Sequence, residues 1–156
     1  MAEYYLWIKW LHVIGAAILF GTGLGTAFHF WNAQRREDAA AIAAAARSTV
    51  LADYVFTLPA AILQPVTGLA LALIAGHPLT STWIVAALLL YVLAGACWIP
   101  VVFIQLRLRD LAEKSVRDAV PLGAEFRRLA RLWFLLGWPA FLAMIAILWL
   151  MVARPA

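Results

Sequence analysis

Residues 82–106, TWIVAALLLYVLAGACWIPVVFIQL, contain no Asp, Glu, Lys or Arg. A helix crosses the hydrocarbon of a bilayer in roughly 20 apolar residues, and this run is long enough to do so. Inside a bilayer no water pairs the backbone N–H and C=O groups, so a single run of this kind must pair its own as a helix. Three further stretches have the same character: about 4–31, 53–75 and 131–153. None shows the alternating pattern of a barrel strand. The sequence therefore predicts an all-α, polytopic membrane protein: one transmembrane domain over residues 1–156, built as a four-helix bundle in the lipid bilayer.

Composition agrees. Of the 156 residues, 66% are hydrophobic and 13% charged, with a mean hydropathy of +0.91. A soluble domain carries about 25% charged residues, and the polar surface here is too small to cover one. The net charge of +4 does not indicate nucleic acid, because the basic residues flank the apolar runs instead of forming a patch. Cys97 is the one cysteine and sits within a span, which excludes an internal disulfide framework. There is no phosphate loop, HExxH, cysteine pair or nucleophile triad, so hydrolase and nucleotide-dependent chemistry gain no support. The first thirty residues lack a basic leader and a small-residue cleavage site, and they read as a retained first helix.

All of the twelve basic residues except Lys9 and Arg154 lie in two connections. The first, 32–52, holds Arg35, Arg36 and Arg47 around an alanine-rich stretch, Asp38 to Ala46, that reads as an interfacial helical extension. The third, 107–131, holds Arg107, Arg109, Lys114, Arg117, Arg127, Arg128 and Arg131, whereas the second, 76–81, holds none. The positive-inside rule places both basic connections in the cytoplasm and both termini outside. The short second connection, with Thr80 or Ser81 as cap, makes the second and third helices antiparallel neighbours. Tyr4, Tyr5, Trp7, Trp83 and Trp149 mark the outer interface, and Trp31, Tyr54 and Trp133 the inner one. Trp98 and Trp138 are expected to pack between helices.

Polar groups within spans face the bundle. On the first helix, His12, Gly15, Leu19, Thr22, Thr26 and His29 follow one another at spacings of three and four, which forms a seam. Gly15, Gly21, Gly23 and Gly25 thin the helix for close approach, by a neighbouring helix or by a flat cofactor. His12 lies roughly 12 Å along the helix from Tyr4, and its imidazole serves either as a metal ligand or as an interhelical hydrogen-bonding group. Lys9, one turn earlier, snorkels to the surface or meets an anionic group such as a propionate. His29 lies roughly 25 Å from His12 on the same helix, too far to share one iron with it. On the second helix, Pro59 and Pro65 break the hydrogen-bond ladder. Gln64 is placed for an interhelical bond or a ligand, and Asp53 is expected to pair with an arginine such as Arg128 or Arg131.

The segment Tyr5-Leu6-Trp7-Ile8-Lys9-Trp10-Leu11-His12-Val13-Ile14 resembles the first helix of the bacterial membrane-bound, haem-containing protoporphyrinogen IX oxidases. Weaker likeness continues through Thr57-Leu58-Pro59 to Gly68, Trp83, and Arg131-Leu132-Trp133 through Pro139 to Arg154-Pro155. The chain is similar as well to a related family of small bacterial integral membrane proteins, which implies the fold and no activity. The first resemblance implies a b-type haem whose first-helix histidine ligand is His12, and a multi-pass protein of the bacterial inner membrane. It also implies an important lysine early in the third helix, and here residues 83–106 contain no Lys.

The resulting expectation is a membrane redox protein binding haem b. His12 is its metal ligand, and Lys9, Gly15 and Thr22 line the cofactor. It oxidises a porphyrinogen-like substrate and passes electrons to a respiratory-chain partner, as a five-coordinate monomer or as a homodimer that supplies a second His12. The alternative is a haem-free accessory subunit, or a small-solute or metal carrier using Gln64 and the kinked second helix.

Overall fold

A computed structural model describes residues 2–155. The first helix, α1, spans Ala2–Gln34. A turn with Glu37 in the left-handed region leads to Asp38, whose carboxylate accepts from the Ala40 N–H at 2.9 Å and starts α2, Ala39–Ala52. α2 then runs through a π-helical turn, Asp53–Thr57, into α3, Leu58–Ile74. Together these pieces make one rod of 36 residues, about 54 Å long. The others are α4, Thr82–Asp118, and α5, Ala124–Ala153. Four rods are long and apolar enough to cross a membrane.

The rods overrun the spans expected from hydropathy, 53–75, 82–106 and 131–153, mostly at the basic end. Hydropathy falls at the first arginines, but a backbone hydrogen-bond ladder continues just as well in water. The basic connections are thus largely helical, and only 35–38 and 119–123 are not. At the opposite end, hereafter the terminal end, Gly76 takes φ +72 and lets the His77 N–H return to the Ala72 carbonyl at 2.9 Å. Ser81 caps α4 through its main-chain carbonyl, while its hydroxyl donates to Pro78.

Two prolines shape the second rod. The π turn precedes Pro59, and the Leu58 N–H there reaches the Asp53 carbonyl instead of that of Tyr54. Pro65 has no N–H to return to the Ala61 carbonyl, and the Tyr91 hydroxyl of α4 donates to that oxygen instead.

The close-packed core lies toward the basic end. Phe30 and Ala33 of α1, Ile42, Ala43, Ala45 and Ala46 of α2, Leu108 and Ala112 of α4, and Phe126, Ala130 and Trp133 of α5 form it. The alanines make α2 thin, so α1 and α4 pack closely against it. Toward the terminal end α1 packs along α3, and α4 along α5, while α3 makes no extended contact with α4 or α5. The short 76–81 connection therefore joins antiparallel helices that diverge, with Tyr91 as a bridge. Phe20 of α1 stacks on Phe141 of α5 at 5.1 Å. Trp133, expected at an interface, is buried edge-on against Phe30. Trp138, expected between helices, is 50% exposed, and its ring meets those of Phe134 and Phe141 of its own helix edge-on.

Candidate functional site

Two polar clusters lie inside the bundle. The first joins α1 to α3. His12 Nδ1 is 2.8 Å from Thr67 Oγ1, and Thr67 Oγ1 is 2.7 Å from the Leu63 carbonyl oxygen. A hydroxyl has one proton, and two oxygens at 2.7 Å need it between them. Thr67 therefore donates to Leu63, and His12 Nδ1 carries the proton that it donates to Thr67. In the neutral imidazole Nε2 then carries the in-plane lone pair, and it has no hydrogen-bond partner among the described residues. This is the arrangement in which the bond made by one ring nitrogen prepares the other for a metal.

Gln64 completes the cluster by donating through Nε2 to the His12 carbonyl at 2.8 Å. Two glycines make room for these side chains. A Cβ on Gly15 would lie 2.8 Å from Gln64 Nε2, and one on Gly68 would lie 3.1 Å from His12 Cε1. Gly15 thus belongs to the contact between α1 and α3. Gly21, Gly23 and Gly25 face outward with nothing near a Cβ.

The remaining expected site residues are not drawn together around His12. Thr22 lines a shallow apolar groove of about 430 Å³ with Ile14, Ala17, Ile18, Gly21 and Phe56, on a face that does not include His12. Lys9 is exposed, its Nζ 6.0 Å from the Tyr5 ring centre. His29 is exposed, and His77 meets the Trp83 ring edge-on at 5.5 Å. No three His, Cys, Asp or Glu side chains converge among the described residues.

The second cluster lies toward the basic end. Asp53 does not pair with Arg128 or Arg131, both of which are exposed. Its Oδ1 accepts from Thr57 Oγ1 at 2.8 Å, and its Oδ2 accepts from Gln105 Nε2 at 2.5 Å. Trp133 Nε1 donates to Gln105 Oε1 at 3.2 Å. An indole N–H can only donate, so it fixes the amide with oxygen toward Trp133 and nitrogen toward Asp53. All four residues are buried. The sequence marked Asp53 as a polar position at the start of a span. The part played by Trp133 had no signal beyond its proximity to Arg131.

The family described as "Predicted integral membrane protein (DUF2269)" matches residues 6–155. No curated protein and no solved structure matches the chain. The chain belongs to that integral membrane protein family.

Proposed function

We propose that this family member is a redox protein of the bacterial inner membrane that holds haem b through His12 Nε2. The observation that supports the reading is the directed relay from His12 to Thr67 to the Leu63 carbonyl, which in the neutral imidazole puts the proton on Nδ1 and leaves Nε2 as the ligand atom. The donor set favours haem over a bare ion. A free transition metal needs several protein ligands, whereas a porphyrin-held iron brings four and asks for one or two. His12 is a single such ligand. The haem would supply one-electron chemistry, and the protein would supply axial ligation and an apolar surrounding.

The oxidation of a porphyrinogen-like substrate, with electrons passed to the respiratory chain, is the activity that fits this cofactor. A monomer would hold the group through His12 alone, and a homodimer would add a second His12. The basic end lies in the cytoplasm and both termini lie outside.

The deciding measurement is the visible absorption of gently purified protein, prepared with and without haem supplementation. A haem b spectrum that His12→Ala abolishes, and whose ligand-field features report five or six coordination, supports the reading. Haem-free protein in both preparations, with no change on His12→Ala, overturns it and leaves the His12–Thr67 bond as a clamp between helices.

The divergence of α3 from α4 and α5 at the terminal end favours one second reading, a haem-free carrier with Gln64 near the fork. It requires solute flux in proteoliposomes that Gln64→Leu abolishes.

A further inference from the structure

We propose that Asp53 is a proton-binding site within the bundle, with Thr57 as the hydroxyl that turns between donor and acceptor as the proton arrives and leaves. The starting observation is a buried carboxyl group without a countercharge. Asp53 is 8% exposed and forms no ion pair among the described residues. An ionised carboxylate in such a place is costly unless it is paired or takes up a proton. The charged and titratable side chains on the packed helices are engaged or turned outward. Arg109 of α4 is held by Asp110 at 2.8 Å, Arg47 of α2 lies 3.4 Å from Glu113, and Arg35 of α1 lies over the Trp31 ring. His29 of α1, Tyr54 of the π turn, and Arg128 and Arg131 of α5 are exposed.

The two carboxylate oxygens are not equivalent. Oδ2 faces a Gln105 N–H whose direction Trp133 enforces, so a proton there would oppose another donor. Oδ1 faces the Thr57 hydroxyl, which can rotate. The proton adds to Oδ1, the new O–H donates to Thr57 Oγ1, and the Thr57 proton swings to a main-chain carbonyl of the preceding turn. Thr26, Ser48 and Thr67 already donate to carbonyls four residues earlier in this chain. Both protonation states of Asp53 thus find hydrogen-bond partners with one hydroxyl rotation and no helix movement.

Thr49 lies one turn from Asp53 toward the basic end, on the same helix face. It is 2% exposed, and its hydroxyl has no partner. This unpartnered hydroxyl, with both donor and acceptor capacity, is the next polar group of the helix toward the basic end.

Infrared difference spectroscopy of the full chain in lipid bilayers, titrated from about pH 4 to pH 9, tests this. The expected result is a carboxylic-acid C=O band that grows as pH falls and is missing from Asp53→Asn. Gln105→Leu removes the N–H that meets Oδ2 and shifts the frequency of this band. The exposed acids give bands that this variant leaves in place. An Asp53 carboxyl that is ionised throughout, or protonated throughout, overturns the proposal. Should Asp53→Asn fail to give helical, monodisperse protein, the Gln105→Leu titration decides alone, and a band set that does not move rejects the site.

Discussion

The Tyr91 hydroxyl donates to the Ala61 carbonyl, the acceptor that Pro65 leaves without its helical donor. A side chain of one helix thereby repairs a backbone defect in another, across the place where the two rods diverge. Tyr91→Phe is expected to destabilise the protein by about 1–2 kcal/mol, the upper range for interhelical hydrogen bonds in bilayers. Reversible unfolding in mixed micelles measures this. A loss below a few tenths would mean that the carbonyl finds another partner.

The glycines of α1 separate into two kinds. Gly15→Ala places a methyl 2.8 Å from Gln64 Nε2, forces the amide off the His12 carbonyl, and costs about 1 kcal/mol or more. Gly21→Ala and Gly25→Ala meet open space, and in an isolated chain they gain helix propensity of up to about 1 kcal/mol. Unfolding of the three variants side by side gives the contrast. If Gly21→Ala or Gly25→Ala instead lowers the dimer fraction in cross-linking, these positions form a contact between copies.

Packing is uneven along the rods. Leu108 is 0% exposed in the core toward the basic end, while Leu89, on the same helix, is 66% exposed. Leu108→Ala is expected to cost about 2–5 kcal/mol through lost burial and a residual cavity. Leu89→Ala should cost well under about 1 kcal/mol, because its side chain leaves lipid for lipid. Similar losses at both sites would place the stability centre elsewhere.

On the haem reading, Thr67 is a positioning residue. Thr67→Val removes the acceptor that fixes the His12 tautomer. It is expected to lower haem retention by about 10–100-fold while leaving helix content unchanged. Thr67→Ser keeps the hydroxyl and restores retention. Haem titration monitored in the Soret region provides the comparison, and equal retention by all three proteins removes Thr67 from the site.

The proposed orientation has a direct check. A reporter active only outside the cytoplasm, fused after Ala156, is expected to be active, and one fused in the 119–123 turn silent. The opposite pattern inverts the protein.

Four spans, their helical nature and the segregation of charge were legible in the chain, because hydropathy over twenty residues is a local property that a bilayer reads directly. The run 82–106 needs no neighbour to be a membrane helix. His12 and Gln64 were legible as polar groups facing the bundle for the same reason. Their partners were not: which nitrogen of His12 carries the proton depends on Thr67 and Leu63 of another helix, fifty residues and more away. Asp53 shows the limit clearly. Charge complementarity along the chain points to Arg128 or Arg131, but the rotation of α5 turns these outward and turns Trp133 inward. The carboxylate is met by Gln105 and Thr57 instead. Rotation and divergence of packed helices are set by shape over the whole interface, and only the assembled bundle contains that information.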